Sequence, residues 1–247
     1  MNTRKMIIQM ELTKTYKNVN IFTEKLVFKE FKDNVGRYYP LDKIHLRLIK
    51  RSIDIILSLL VITFILSWII PILFITSKFL SKGSIIFVQK RVGINNILFN
   101  CYKFRTIIPE EENLEKFNPI TLNDSRLTKI GKLLRRTNLD ELPQFINVLK
   151  GEMSLIGPRP HAIVYEKIYN SSIEDNNLRY MIKPGITGWA QIHGLRGDVL
   201  DEDENKYRAR KRVQYDLWYI RNWSFTLDIK IIIETIVLII KGKPKLV

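Results

Sequence analysis

The sequence predicts a membrane-associated domain that mixes helices with strands, and three observations carry that reading. Twenty-three residues from Ile55 to Ser77 hold no charged side chain. A strand-and-turn pattern over residues 84–108 gives way to helical periods over 127–150 and 202–222. The stretch from Asp228 to Lys241 sets Ile229, Ile232, Ile233, Ile236, Val237 and Ile240 on one helical face.

The 247 residues fit one large domain or two small ones, and a hydrophobic content of 46% excludes global disorder. Forty Lys and Arg face twenty-five Asp and Glu, a formal charge of +15. Such an excess selects polyanionic partners: nucleic acid, anionic lipid headgroups or phosphorylated small molecules. A nucleic-acid partner leaves the apolar block unexplained, so no nucleic-acid role is expected, whereas lipid and phosphate fit both features. A single cysteine, Cys101, excludes an intramolecular disulfide and reads as a packed side chain between Phe99 and Phe104. No apolar core followed by a cleavage site occurs in residues 1–42, so no cleavable signal peptide is expected.

Residues 1–42 form an N-terminal extension without a readable motif; 43–82 form the membrane segment and 83–247 the domain proper. Over 43–52, Ile44, Leu48 and Ile49 share a helical face while Lys43, Arg47, Lys50 and Arg51 supply charge, as in an amphipathic approach to a membrane. The uncharged block that follows exceeds the roughly 20 residues a spanning helix needs. Its other flank is also basic, with Lys78, Lys82, Lys90 and Arg91. The positive-inside bias is then satisfied if both ends stay cytoplasmic. Pro71 removes a backbone donor and crowds the carbonyl of Ser67, whose hydroxyl can bond a nearby carbonyl and ease a break. A re-entrant helix that returns to its own side and a straight span with a mild kink both satisfy these residues.

Ile85-Ile86-Phe87-Val88 and Ile97-Leu98-Phe99 start two strands, separated by the turn residues Val92-Gly93 and Asn95-Asn96. Residues 109–125 read as a polar loop. The helical period of 127–150 breaks near Thr137-Asn138. Leu127, Ile130 and Leu134 mark its first stripe, and Leu142, Phe145, Ile146 and Leu149 its second. Gly151–Pro160 and Lys183–Gly188 read as loops, with a helix over 161–182 that ends before Pro184. Residues 202–222 form a charged helix. The C-terminal apolar face suits either a membrane interface or packing on the domain.

Three stretches carry the residue types of a reactive site. In Arg135-Arg136-Thr-Asn-Leu-Asp140-Glu141-Leu-Pro143-Gln144, two carboxylates lie near the start of a helix, whose dipole favours their ionised forms. An ionised Asp is a usable nucleophile toward phosphorus, a neighbouring Glu can help hold Mg²⁺, and two arginines can neutralise a diphosphate. Ordinary helix capping uses the same residues. In Gly157-Pro158-Arg159-Pro160, two prolines stiffen the backbone around a guanidinium that suits a phosphate, although an exposed loop with an incidental Arg reads the same. In Lys183-Pro184-Gly185-Ile186-Thr187-Gly188-Trp189, glycines allow close backbone approach to a ligand, and Trp189 reads as core before it reads as a stacking platform. His45, His161 and His193 have no metal-ligand spacing.

Taken in order, these stretches join others: Lys50-Arg51-Ser-Ile-Asp54 before the apolar block, Tyr102-Lys103-Phe104-Arg105-Thr106, Asp124-Ser-Arg126-Leu-Thr-Lys-Ile-Gly131 and Asn147-Val-Leu-Lys-Gly151-Glu-Met-Ser154. The whole, about residues 48–242, resembles the bacterial sugar transferases, the monotopic polyprenyl-phosphate phosphoglycosyl transferases. The resemblance implies an α/β catalytic domain on a re-entrant membrane helix with interfacial amphipathic helices, facing the cytoplasm from the bacterial inner membrane. It implies transfer of a sugar-1-phosphate from a UDP-sugar to undecaprenyl phosphate, with Mg²⁺ and a covalent intermediate. By motif match, Asp140 is the nucleophile and Glu141 its partner, both near the metal. Arg135, Arg136, Arg159, Lys103 and Arg105 are then phosphate-binding candidates, and Lys183, Pro184, Gly185, Thr187 and Gly188 nucleotide-binding ones. A membrane-anchored assembly protein without activity would share the helix and the charge but need no Asp-Glu pair. Two departures stand out. The family's adjacent Ser-Pro break is here spread over Ser67 and Pro71. The extra spanning helices of long members are absent from residues 1–42, an extension that would suit either a homo-oligomer contact or a disordered tail.

Overall fold

A computed structural model describes residues 39–80, 84–107, 124–163, 166, 173, 176–199 and 201–241. Most of the N-terminal extension, Lys82, most of the loop expected at 109–125 and much of the helix expected at 161–182 lie outside these residues. A 3-10 turn at Pro40–Asp42 leads into α1 (Ile44–Val61), a π-helical turn at Ile62–Leu66 and α2 (Ser67–Leu80). Ile44 to Ile75 form one run of 32 residues, long and apolar enough to cross a membrane. The disturbance expected around Ser67 is real but sits upstream of Pro71. The π turn widens the helix there, and the Ser67 hydroxyl donates to the Thr63 carbonyl at 2.5 Å. The helix then continues through Pro71.

Strands β1 (Ile86–Val92) and β2 (Leu98–Phe104) pair antiparallel, with Ile86 opposite Phe104 and Val92 opposite Leu98. Asn95 and Asn96 make the turn at φ 52° and 58°, a left-handed conformation that Asn tolerates better than most residues. Helix α3 (Lys129–Thr137) is capped by Thr128, whose hydroxyl accepts from the Gly131 amide at 2.8 Å. Asn138, at φ 59°, ends it where the helical period breaks, and turns the chain into a 3-10 turn at Leu139–Glu141. Helix α4 (Gln144–Lys150) follows and stops at Gly151, φ 83°.

The two Gly- and Pro-rich stretches contain short strands where the sequence suggests loops. β3 (Ser154–Ile156) and β4 (Gly185–Thr187) pair in parallel, Ser154 with Gly185 and Ile156 with Thr187. Three residues are too few to show an alternation, and β3 is buried along its whole length, so its pattern is hidden. The pairing also demands glycine. A Cβ on Gly185 would stand 2.1 Å from the Gly157 nitrogen. Helices α5 (Trp189–Ile192), α6 (Glu202–Asn222) and α7 (Phe225–Ile240) complete the described chain.

Two apolar clusters hold these elements together. The larger joins Phe99 and Cys101 of β2, Val148 of α4, Ile156 of β3, Ile220 of α6 and Ile231 of α7. Cys101 is fully buried within it. The smaller joins Leu66 of the π turn to Phe104 and Leu134, with Leu139 and Leu142 packed against it. Fully burying one such aliphatic side chain is worth roughly 1.5–3 kcal/mol.

Polar contacts then fix the long apolar helix to the domain. Of the basic residues ahead of the apolar block, Lys50 and Arg51 turn inward. Lys50 Nζ lies 2.6 Å from Asp228, which also accepts from the Tyr219 hydroxyl at 2.7 Å and Trp223 Nε1 at 3.0 Å. Arg51 donates to the carbonyls of Val148 and Leu149 at 2.5 and 2.8 Å, satisfying the C-terminal end of α4. Asp54 accepts from Ser154 Oγ at 3.1 Å and the Leu155 amide at 3.0 Å.

Helix α7 turns most of the apolar face read in the sequence outward and packs its other side on the domain. Ile231, off that face, is fully buried, and Thr235 Oγ1 meets Thr187 Oγ1 at 2.8 Å. Ile229, Ile233, Ile236, Val237 and Ile240 stay exposed, as do Ile44, Leu48, Phe64 and Trp68 on the first helical run. The whole is an α/β domain with one long apolar N-terminal helix.

Candidate active site

The 3-10 turn that carries Asp140 and Glu141 is held from both sides. Leu139 and Leu142 pack on the small cluster that includes Leu66, so the turn that carries the carboxylates and the π turn of the long apolar helix share one apolar cluster. From the other side, α3 docks on the end of β2. The Thr106 carbonyl accepts from the Thr128 amide at 3.1 Å, and Gly131 is required because a Cβ there would lie 2.0 Å from that same oxygen. The close approach brings Arg135 Nε to 3.1 Å from Thr106 Oγ1.

Both carboxylates are buried, at 3% exposure for Asp140 and 2% for Glu141. A buried charge costs several kcal/mol unless it is paired, and Glu141 is paired three times. Lys103 Nζ lies 3.0 Å from its Oε1. Arg159 reaches Oε1 with Nη2 at 2.7 Å and Oε2 with Nη1 at 3.3 Å. Arg196 Nη2 reaches Oε2 at 2.8 Å. Ordinary helix capping would need none of these partners.

Arg159 is fixed through its backbone as well as by its flanking prolines. Its carbonyl accepts from Arg179 Nη2 at 2.8 Å, and the Pro160 carbonyl accepts from Arg91 Nη1 at 2.7 Å. Arg179 is itself locked to Asp216 at 2.8 Å inside the domain. Burial opposes the Arg159 charge, but Glu141 and Asp140 outweigh it and hold the guanidinium above its ordinary value. For Arg135, burial wins and lowers the guanidinium, with Asp140 and Glu141 acting against it. His161, next along the chain, is held well below the usual imidazole range by burial and by four arginines, Arg179, Arg212, Arg91 and Arg159.

The remaining sequence candidates fall at different distances from this centre. Lys103 and Arg159 converge on Glu141, and Arg135 lies in the same field. Arg136 is exposed on α3, and Arg105 is half-buried just past the end of β2, its amide donating to Ile85 at 2.7 Å. Lys183 stands beside Gly151 and Arg51, and burial followed by Arg51 lowers its ammonium. Pro184 is buried, and its carbonyl accepts from the Ser154 amide at 2.8 Å. Thr187 bonds Thr235, while Gly185 and Gly188 lie against the backbone of Gly157. That contact gives the segment a structural task, holding the strand end from which Pro158-Arg159 projects.

Arg196 escaped the sequence reading. Its partner Glu141 is 55 residues away, and His193-Gly-Leu-Arg-Gly197 has no spacing that marks it as part of a site. The one available signal was an arginine between glycine-rich turns ahead of a charged helix. No group of three or more His, Cys, Asp or Glu that could hold a metal occurs among the described residues.

Comparison with known proteins identifies the family. Residues 45–242 match the family model described as "Bacterial sugar transferase". The chain is 46% identical over 190 residues to a protein of Escherichia coli named UDP-glucose:undecaprenyl-phosphate glucose-1-phosphate transferase, covering 77% of this chain and 40% of that protein. A protein of the same name in Caulobacter vibrioides is 36% identical, with 80% of this chain and 72% of that protein covered. The exopolysaccharide production protein PSS of Rhizobium leguminosarum bv. phaseoli is 37% identical, with 76% and 94% covered. The chain thus spans well under half the length of the E. coli relative and nearly all of the Rhizobium one. The match takes in Asp140, Glu141, Arg159 and every cation that converges on them: the chain belongs to the bacterial sugar transferase family.

Proposed function

We propose that this chain transfers a sugar-1-phosphate from a UDP-sugar to undecaprenyl phosphate, releasing UMP and starting the assembly of a bacterial surface glycan. The observation that carries the reading is the charge of the site. Among the described residues, Lys103, Arg135, Arg159 and Arg196 gather around the two carboxylates Asp140 and Glu141, two more cations than anions in a largely buried place. A site with that excess suits a diphosphate, and arginine forks match phosphate oxygens geometrically.

Asp140 acts as nucleophile. Its carboxylate oxygen attacks the β-phosphorus of the UDP-sugar, the bond from that phosphorus to the bridging oxygen breaks, and UMP leaves with the electron pair. A phosphate oxygen of undecaprenyl phosphate then attacks the same phosphorus and frees the carboxylate. Glu141 holds Lys103, Arg159 and Arg196 in place, so that the donors stand ready around the diphosphate before it arrives.

Mg²⁺ takes oxygen ligands from one or two carboxylates and completes its shell with phosphate oxygens and water. Both oxygens of Glu141 accept from cations, so of the two expected metal ligands Asp140, rather than Glu141, would hold the ion, together with the substrate diphosphate. Bound there, Mg²⁺ would offset the negative charge that develops on the departing UMP.

The lipid acceptor reaches Asp140 from the membrane side. Leu66 of the π turn packs in one cluster with the residues that bracket the carboxylates, and exposed apolar side chains continue along α1, α2 and α7. In this reading the first helical run is re-entrant and α7 lies at the interface, and the basic residues on both sides of the apolar run support a catalytic domain on the cytoplasmic face of the inner membrane.

The test is UMP release by the purified chain from a panel of UDP-sugars with undecaprenyl phosphate and Mg²⁺. Lipid-dependent turnover of at least one sugar is the expected result. No turnover of any sugar, in a folded preparation, would favour an inactive assembly protein.

A further inference from the structure

Arg196 sits on a segment that has no regular structure of its own, yet its position is fixed by two arginines of α6. Arg212 is 2% exposed and spends all of its guanidinium on that segment. Its Nε donates to the Leu195 carbonyl at 2.9 Å, its Nη2 to the Gly197 carbonyl at 2.8 Å and its Nη1 to Asp198 Oδ1 at 3.1 Å. Arg208, one turn earlier, donates to the Gly194 carbonyl at 2.8 Å. The carbonyls on both sides of Arg196 are therefore held by one planar fork, a geometry that fixes direction as well as distance.

Arg196 also has bonding capacity to spare. Nη2 meets Glu141, but Nε is a buried donor without a hydrogen-bond partner among the described residues. A buried donor left unmade is costly, and an acceptor arriving in the site would satisfy it. The excess positive charge around Glu141 says what kind of acceptor that is.

We propose that Arg196 binds the diphosphate of the nucleotide substrate, and that Arg212 is the positioning residue that sets Arg196 at the site through the Leu195 and Gly197 carbonyls. The proposal rests on the reading of the site as one for a UDP-sugar. Arg212 never touches substrate. Its effect passes through Arg196 alone, and this separates it from a residue that merely supports the fold.

A double-mutant cycle makes that distinction. UDP binding and UMP release are measured for the detergent-solubilised full chain and for Arg196→Ala, Arg212→Lys and the double variant. Lysine keeps the charge but cannot reach three acceptors in one plane. Arg212→Lys should weaken UDP binding and lower kcat/KM by about tenfold, the scale of one lost charge-assisted bond. In the Arg196→Ala background the same change should add nothing. Equal losses in both backgrounds would show a general structural role and overturn the proposal, as would an unchanged Arg212→Lys or an unchanged Arg196→Ala. Should Arg212→Lys fail to fold, Asp198→Asn loosens one arm of the fork, and the same cycle is run with it. A wild-type chain that binds UDP but releases no UMP would sink the transferase reading, while the binding cycle would still decide the roles of Arg196 and Arg212.

Discussion

Arg159 and Glu141 face each other fork to fork, with Nη2 at 2.7 Å from Oε1 and Nη1 at 3.3 Å from Oε2. The planar guanidinium thereby fixes the carboxylate that also collects Lys103 and Arg196. Arg159→Lys keeps the charge and loses the fork. Its kcat/KM should fall roughly 10- to 100-fold, with thermal stability nearly unchanged. Near-normal kinetics would reduce Arg159 to a structural role.

Gly185 is a test of the β3–β4 pair. The nearest atom to an added Cβ is the Gly157 nitrogen at 2.1 Å, a backbone atom that cannot swing away. Gly185→Ala should therefore destabilise the protein by about 2–4 kcal/mol, read as a drop in unfolding midpoint. Because the shift passes through Gly157 to Arg159, activity should fall faster than stability. A variant with wild-type stability would contradict the pairing.

His161 predicts a pH dependence. Burial and the arginines around it depress its folded-state pKa well below 6.5, the ordinary imidazole value. The folded protein keeps this ring neutral, while the unfolded chain takes up a proton below that pH. Stability attributable to His161 is thus fully present above pH 6.5 and is lost as the pH falls below it, by up to about 1.4 kcal/mol per pH unit. His161→Gln should unfold with a flatter pH profile between pH 6.5 and 5. Parallel profiles for the two proteins would show that the ring titrates normally.

Topology is decided by labelling. Cysteines placed at His45 and Ser84, in a Cys101→Ser background, stand on either side of the long apolar run. A re-entrant helix predicts that both react only from the cytoplasmic side. A reagent confined to the outside that labels either position would establish a spanning helix instead.

The sequence made some of this structure legible and hid the rest for physical reasons. The β1–β2 hairpin was readable because two β-rich runs flank Asn residues suited to positive φ, and Asn138 marked the end of α3 in the same way. The Asp140-Glu141 pair stood out because adjacent carboxylates near a helix start have a chemistry of their own. β3 and β4 stayed hidden because three-residue strands lack a period and their glycines and prolines resemble loop punctuation. Arg196 stayed hidden because its role depends on contacts to Glu141 and Arg212, and neither is close in sequence. The side of α7 that packs on the domain was not legible because the isoleucines left exposed form the more regular stripe, while Asp228 and Thr235, polar by composition, face the domain.

The central claim is that Asp140 attacks the β-phosphorus. Membranes carrying the protein are incubated with UDP-sugar labelled in the β-phosphate, with Mg²⁺ and without lipid acceptor, and the protein is then examined for bound label. Wild type should carry the label on Asp140 and lose it when undecaprenyl phosphate is added, while Asp140→Asn should carry none. An unlabelled wild-type protein that binds both substrates and releases UMP only when the lipid is present would contradict the covalent route.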